Sequence, residues 1–180
     1  MAIKGTLSES FLDGRNDCAF AIDWEFLTEE EQDLILNFLL EISHKEHVIG
    51  KNKESWLTDD RDKIPLTDGY EEESYWHYHC GPSWQHNTFK NWTRCLVFNP
   101  GGKSSSECIH YYPVADDEII VVGFSRNHIP FIPSDVLDNP FFNYPASWRV
   151  ILSVTTNSQP LLRLVFFRIC SFCFYPHDGR

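Results

Sequence analysis

Five of the eight histidines in this chain lie in one stretch, between residues 77 and 128. Histidine titrates near neutral pH and is a common metal ligand, so a group of histidines can transfer protons or hold an ion. The spacing of His77 and His79 puts two imidazoles on one face of a strand, because side chains alternate along an extended backbone. We therefore expect the chemistry of this protein here. The five residues are His77, His79, His86, His110 and His128.

Metal-independent cleavage of RNA is the first chemistry that these residues suit. Attack by the RNA's own 2′-hydroxyl needs a base, an acid for the leaving 5′-oxygen, and cations for the charge on the transition state. His77, His79 and His128 are predicted to transfer protons. Arg94 and Arg126 are predicted to stabilise the phosphate. A further group is predicted to bind the substrate, and it consists of Lys103, Ser106, Glu107 and His110.

A metal site is an alternative for the same residues. His77 and His79, with His86 or His110, offer imidazoles of the kind that zinc and iron bind. The sequence lacks a further ligand at a spacing typical of a known metalloenzyme, so the prediction is no metal and no cofactor. Any one of these histidines can also simply form a hydrogen bond across the sheet.

Four apolar and aromatic runs, separated by Gly, Pro, Asn and Asp, predict the strands that position these residues. They cover residues 75–80, 94–98, 107–112 and 118–126. Before them, Thr28 to Glu31 forms a capping-box pattern, and apolar residues then recur at helical spacing. The pattern predicts a helix from about Glu29 to about His47.

The other segments carry weaker signals. Residues 1–19 are predicted as loop, and Cys18–Trp24 as a first strand. Residues 50–73 are predicted as a charged connection with one short helix around Lys53–Leu57. Together the elements predict an α+β domain over residues 1–131, with an antiparallel sheet of about four strands flanked by one or two N-terminal helices. Residues 132–180 are predicted as an irregular C-terminal extension.

The net charge of −11 is concentrated in the first part of the chain. Residues 1–74 hold 19 Asp and Glu against 7 Lys and Arg, whereas residues 75–130 hold four of each kind. This distribution leaves a nucleic-acid role open, but its electrostatic attraction to phosphate is weak, and we do not expect tight binding to phosphate by this chain alone. It favours a second class of function, a non-enzymatic acidic protein that inhibits a partner through residues 1–74.

The sequence also indicates where the protein works. The first residues lack the apolar region of a signal peptide, which predicts an intracellular, cytoplasmic protein. The apolar run at residues 161–169 is short and contains two arginines, so no membrane span is predicted. The six cysteines are then expected to be mostly buried thiols, and Cys170-x-x-Cys173 lacks the second pair that a zinc site needs.

Three segments resemble the YafO-type toxins of the RelE-like mRNA interferase group. They are Trp76–His79, Ser105–Tyr111 and Ile119–His128. Those toxins carry a His-x-His strand after an acidic loop, a Ser-acidic pair entering an apolar strand that ends in Tyr, and a last apolar strand followed by a histidine. Asp59–Pro65 is similar to their acidic loop. The resemblance extends over about residues 55–131.

The resemblance implies a toxin that cleaves mRNA on the ribosome and is neutralised by an antitoxin protein, with no role for DNA or a membrane. It also implies a small antiparallel sheet flanked by helices. Because the ribosome would present the mRNA, an acidic enzyme need not bind RNA tightly by itself. Carried over residue by residue, the functional positions of the family fall on His77, His79, Ser106, Glu107 and His128.

Overall fold

The computed structural model describes residues 2–44, 47–85, 93–94, 96–128 and 130–142. These residues belong to a unit that extends from Met1 to Asn143. The predicted roles of His86, of the apolar run at 161–169 and of Cys170-x-x-Cys173 concern residues outside this description. The same holds for the predicted extension beyond residue 142.

Strands in the described ranges are β1 (Lys4–Leu7), β2 (Asp17–Cys18), β3 (Ala21–Ile22), β4 (His47–Val48), β5 (Asn52–Glu54), β6 (Trp76–His79), β7 (Thr93–Arg94), β8 (Cys108–Ala115) and β9 (Glu118–Ser125). The α-helices are α1 (Glu9–Leu12), α2 (Glu29–Ser43) and α3 (Asp68–Glu72), and a 3-10 turn covers Trp24–Phe26. None of the helices in these ranges is long and apolar enough to span a membrane.

The hairpin of β8 and β9 lies at the centre of the sheet. Both strands are rich in β-branched and aromatic residues, which suit a pleated, buried surface. Pro113 lies inside β8 and pairs with Ile119. Proline lacks an N–H donor and is tolerated in a strand at a bulge. The register between β8 and β9 shifts at this point, between Pro113 and Ala115.

The main sheet is larger than the predicted four strands. Its order is β2-β3-β9-β8-β6-β5, and β1 adds to β9 in parallel, which gives seven strands. The other pairings in this sheet are antiparallel, so the predicted α+β class is confirmed. The extra strands are two to four residues long. Such short runs carry too few residues to show an alternating pattern.

Helix α2 begins as the capping box predicts and covers one face of the sheet. The Thr28 hydroxyl accepts from the backbone N–H of Glu31, and the Glu31 carboxylate accepts from that of Thr28. The helix ends at Ser43 rather than at the predicted His47, which pairs with Arg94 between β4 and β7. Phe38 is buried and stacks on Tyr78 of β6 with ring centroids 4.8 Å apart.

Three further predictions are wrong at the level of elements. Residues 1–19 form β1, α1 and β2 rather than loop. The short helix predicted around Lys53–Leu57 is instead strand β5, and the connection after it contains α3. The strand predicted at 94–98 comprises Thr93–Arg94 only, and residues 96–98 do not extend it.

A second cluster of aromatic residues covers the opposite face of the sheet. Residues 130–142 lie over this face, and Phe131, Phe141 and Phe142 pack against it. Asn139 is fully buried and its side-chain amide donates to the Tyr70 hydroxyl at 2.8 Å and to the carbonyl oxygen of Ile132 at 3.0 Å. This face, opposite α2, carries the predicted histidines.

Candidate active site

The register of three neighbouring strands brings the polar residues of this face together. Lys53 of β5 is paired with His77 of β6, and His77 is paired with His110 of β8. Lys51 lies two residues before Lys53, and its carbonyl oxygen accepts from the backbone N–H of His79. Because side chains two residues apart point to the same side, the two lysines lie beside the two histidines. The predicted shared face of His77 and His79 is confirmed.

His128 completes a group of three imidazoles, here called the histidine triad (His77, His79 and His128). It follows the end of β9, and its ring centroid lies 4.7 Å from that of His79 and 5.3 Å from that of His77. One ring nitrogen from each residue lies within 4.8 Å of the other two. The fold thus brings His128 to His77 and His79, which precede it by about fifty residues in the sequence.

The triad opens into a cavity of about 270 Å³. Besides the triad, its wall consists of Lys51, Lys53 and Asp59 on one side and the loop Ser104–Ser106 on another. Every one of these side chains can donate or accept a hydrogen bond or carry a charge. The cavity is therefore suited to a polar or anionic ligand rather than to an apolar one.

Hydrogen bonds hold the two strand histidines in a defined orientation. Nδ1 of His79 lies 2.7 Å from the carbonyl oxygen of Ser105, and a contact this short to an acceptor assigns the proton to Nδ1. The backbone N–H of Ser105 is also directed at this nitrogen, at 3.1 Å. Because Nδ1 cannot donate and accept at once, the shorter contact, to the carbonyl oxygen, decides the tautomer. Nδ1 of His77 bonds the hydroxyl of the buried Ser55 at 3.2 Å. In this tautomer of His79, Nε2 carries the lone pair, on the side of the ring away from the contact with Ser105.

The Nε2 atoms of His77 and His79 are buried and have no hydrogen-bond partner in the described part of the chain. An unsatisfied buried polar atom is costly, and such atoms concentrate at functional sites. His77 is fully buried and His79 is 2% exposed. Two histidines that line the cavity therefore each carry a buried ring nitrogen without a partner among the described residues.

All three rings of the triad are held in the neutral form. Burial lowers the pKa of His77 well below its usual range, and the neighbouring His79 and His128 lower it further. Burial lowers the pKa of His79 to about 3. His128 is exposed as a residue, but partial desolvation of its ring and the ammonium groups of Lys53 and Lys51 lower its pKa as well. At neutral pH each ring of the triad therefore carries one lone pair and one N–H, and its lone pair can accept a proton.

A carboxylate ties the two lysines together at the edge of the cavity. Nζ of Lys51 lies 2.7 Å from Oδ2 of Asp59, and Nζ of Lys53 lies 2.9 Å from Oδ1. Burial acts to raise the pKa of Asp59, but the hydrogen bonds from the two lysines outweigh it and the pKa is lowered. The side chains of Lys51 and Lys53 are only 17% and 10% exposed. The group of three carries one net positive charge.

The structure separates the remaining predicted residues from the triad to different degrees. Ser106 lines the cavity. His110 lies on the same face of the sheet, but its Nε2 bonds the Ser125 hydroxyl at 2.6 Å. Glu107 accepts from the backbone N–H and hydroxyl of Ser83. Lys103 lies over the Trp84 ring, 4.9 Å from its centroid. Of these four, only Ser106 lines the cavity as far as the structure describes it.

The structure describes the side chain of only one of the two arginines that were predicted to stabilise the phosphate. Arg126 binds Glu31 through Nε at 2.6 Å and donates to the carbonyl oxygen of Phe26 at 3.2 Å, so it joins β9 to the start of α2. Arg94 lies in β7, and its side chain is outside the described part of the structure. The predicted roles of both arginines at a phosphate remain predictions.

A larger cavity, of about 540 Å³, lies on the α2 side of the sheet. Its lining on α2 and at the C-cap of that helix is half apolar and half polar, and Ile49, Tyr78, Cys80 and Trp84 complete it. The six residues of the first group are Leu34, Asn37, Phe38, Leu40, Glu41 and His44. Burial raises the pKa of the Cys80 thiol, which keeps it protonated and unreactive. This cavity has less chemistry to offer than the smaller one beside the triad.

Lys51, Lys53 and Asp59 were missed as site residues. They belong to a charged run, and such runs usually form a solvated surface. The alternation of Lys51, Asn52 and Lys53 was the available signal, since it places two cations on one face of a strand. Ser55, which supports His77, was missed because a single serine carries no pattern.

The comparisons with known proteins leave the site to be interpreted from its own geometry. No protein-family model, no curated protein and no solved structure matches this chain. The resemblance to YafO-type toxins therefore remains a prediction from short motifs. A function for this chain has to be inferred from the triad, the lysines and the cavity that they share.

Proposed function

We propose that this protein is an endoribonuclease that cleaves mRNA at the cavity beside the histidine triad. The observation that carries the proposal is the convergence of three neutral imidazoles, within 4.8 Å of one another, beside two buried lysines. Such a site offers proton acceptors and cations in the same small space. These are the groups that phosphodiester cleavage requires.

The reaction that fits these groups is transesterification by the RNA itself. The 2′-hydroxyl loses its proton to an acceptor at the triad and attacks the adjacent phosphorus. The bond from phosphorus to the 5′-oxygen breaks, and that oxygen takes the proton that the triad accepted from the 2′-hydroxyl, so the site acts first as base and then as acid. The products are a 2′,3′-cyclic phosphate and a free 5′-hydroxyl, so no external oxidant or reductant is needed.

The lysines provide the charge that the transition state needs. Lys51 and Lys53 hold Asp59 between them, and their one net positive charge remains available to a phosphate. Ser106, with its neighbours in the loop Ser104–Ser106, adds hydroxyl and backbone groups at the same cavity. An ammonium group in a partly desolvated site stabilises phosphate charge better than one in water.

The ribosome remains part of this proposal because the chain is acidic. With a net charge of −11, the protein has weak electrostatic attraction to free RNA. A ribosome that presents its mRNA would remove the need for a basic RNA-binding surface. As the family resemblance implies, we place the enzyme in the cytoplasm and expect an antitoxin protein as its partner.

Cleavage of a defined mRNA on purified ribosomes tests the proposed function. The variant His79→Asn keeps an amide N–H where Nδ1 bonds Ser105 and removes Nε2 from the cavity. We expect this change to lower the cleavage rate by about 10²-fold or more, since loss of a group that takes part in proton transfer has this effect. Fragment ends mapped by primer extension give the rate and position of cleavage.

His110→Gln is the matched control for this experiment. His110 is buried on the same face of the sheet, but its Nε2 bonds Ser125, and the glutamine amide can replace that contact. The control should cleave at a rate within a few-fold of the unaltered protein. Cleavage by His79→Asn at the unaltered rate would refute the proposed site. Cleavage at a position with a 2′-deoxy sugar would refute the proposed reaction.

A further inference from the structure

The histidine triad has more convergent acceptors than proton transfer needs. One imidazole suffices to accept a proton, yet three ring nitrogens lie within 4.8 Å of one another. In addition, Nε2 of His77 and Nε2 of His79 are buried and have no hydrogen-bond partner among the described residues. A buried ring nitrogen without a partner is costly, and a cation held between the three rings would supply the missing contact.

We propose that His77, His79 and His128 together bind one divalent transition-metal ion of the zinc class. Three neutral imidazoles with a fourth position open to a cavity form the ligand set of catalytic zinc sites. The proposal rests on the proposed function in one respect, because a hydroxide on the ion would be the acceptor of the 2′-hydroxyl proton. Metal binding itself does not depend on the substrate.

The surroundings of the triad match those of metal-binding histidines. A ligating histidine usually donates its other ring N–H to a carbonyl, carboxylate or hydroxyl group, which fixes the ring. Nδ1 of His79 has such a contact with the Ser105 carbonyl oxygen, and Nδ1 of His77 with the Ser55 hydroxyl. Both supporting groups are buried. The two strand histidines are therefore already oriented for an ion.

The distances require only a small closing movement. In a tetrahedral site with metal–nitrogen bonds of about 2.1 Å, the ligand nitrogens lie about 3.4 Å apart. The triad nitrogens, at up to 4.8 Å, must approach one another by about an ångström. His128 follows the end of β9 and is exposed, so rotation of its ring can supply this movement.

The lysines determine what the open position would accept. Lys51 and Lys53 act against a bare cation, although Asp59 neutralises one of their two charges. The remaining charge favours an anion as the fourth ligand, such as hydroxide or a phosphate oxygen. The metal proposal and the phosphate substrate therefore support each other through the same charge.

Titration of the metal-free full chain with Co²⁺ and Zn²⁺ tests the site. The protein is prepared without a polyhistidine tag and dialysed against a chelator. We expect roughly one ion per chain and the visible absorption of tetrahedral Co²⁺ with nitrogen ligands. His79→Asn should lose binding by more than the roughly 10- to 100-fold that loss of an outer-shell partner causes.

Two further variants separate a metal ligand from a merely structural histidine. Ser55→Ala removes the hydroxyl that supports His77, and its affinity for Zn²⁺ should fall by about tenfold. His110→Gln, on the same face, should bind as the unaltered chain does. The circular dichroism and melting temperature of each metal-free variant show whether it is folded, so that loss of binding is not confused with loss of structure.

Several results would overturn the proposal. One is that the folded, unaltered protein takes up neither ion. Another is a thiolate-to-cobalt absorption band that persists in His79→Asn, because the ion would then be bound by cysteines such as Cys170 and Cys173. Cleavage of mRNA at the full rate by metal-free protein would refute the ion's role and leave the nuclease intact. Binding without cleavage would leave the metal site intact and refute the nuclease.

Discussion

Lys53 places a positive charge directly beside the histidine triad. It is paired with His77 across two strands, and its ammonium group bonds Asp59 at 2.9 Å. Because its side chain is only 10% exposed, its charge is screened by water less than that of a surface lysine. It is therefore the side chain with the greatest expected effect on a bound phosphate.

Replacement of Lys53 by methionine tests this charge. Methionine keeps most of the volume and removes the ammonium group, so the cleavage rate should fall by about 10²-fold. The dependence of the rate on salt concentration should also become weaker, since one phosphate contact is lost. Lys103→Met is the control, because Lys103 lies over Trp84 and outside the lining of the cavity. An equal loss in both variants would contradict the assignment.

His110 gives a prediction about stability and pH. Burial lowers its pKa to about 3, whereas a histidine in the unfolded chain titrates near 6.5. The unfolded state therefore binds a proton below pH 6.5 that the folded state does not. The neutral state of His110 therefore contributes to the free energy of unfolding, and this contribution is complete above pH 6.5. It is lost as the pH falls towards 3, by about 1.4 kcal/mol for each pH unit.

Urea unfolding of the metal-free protein at pH 7 and pH 5 measures this effect. Between these values the unaltered chain should lose about 2 kcal/mol more free energy of unfolding than His110→Gln does. Glutamine cannot be protonated and keeps a contact to Ser125, so the comparison isolates one titration. The same loss in both proteins would show that His110 does not remain neutral in the fold.

At the scale of elements, the start of α2 should be a separate source of stability. Thr28 and Glu31 satisfy two backbone N–H groups that the helix leaves open. Thr28→Ala should lower the free energy of unfolding by about 1 kcal/mol. It should leave the cleavage rate unchanged, because α2 packs on the face opposite the triad. Ser43→Ala at the other end of the helix is the control, and a change within about 0.5 kcal/mol is expected.

Arg126 distinguishes a catalytic from an architectural role. Its guanidinium bonds both carboxylate oxygens of Glu31 and thereby joins the end of β9 to α2. The pair is partly exposed, so Arg126→Gln should cost only about 1 kcal/mol of unfolding free energy. The cleavage rate of the folded variant should stay within a few-fold of the original. A large loss of rate without a loss of stability would instead support the role predicted from sequence.

For the whole molecule, the sequence predicted correctly those features that depend on a few neighbouring residues. The capping box located the start of α2, and alternation placed His77 and His79 on one face of β6. In each case a few neighbouring residues determine the backbone conformation. These features position two of the three residues in the triad.

The features that the sequence did not predict depend on contacts between distant parts of the chain. β1, β2 and β5 are held by their partners in the sheet, and their own sequences are too short to predict them. The approach of Lys51 and Lys53 to the triad follows from the pairing of β5 with β6, which a charged run does not reveal. The cover that residues 130–142 form over the histidine face likewise depends on tertiary packing.

The most direct test of the central claim is inducible expression in bacteria, with growth and the integrity of one abundant mRNA followed together. The unaltered chain is compared with the His77→Ala/His79→Ala variant, and immunoblots show equal amounts of protein. The account predicts growth arrest with fragmented mRNA for the unaltered chain alone. Intact mRNA in both cultures, or fragmentation that persists in the double variant, would contradict it.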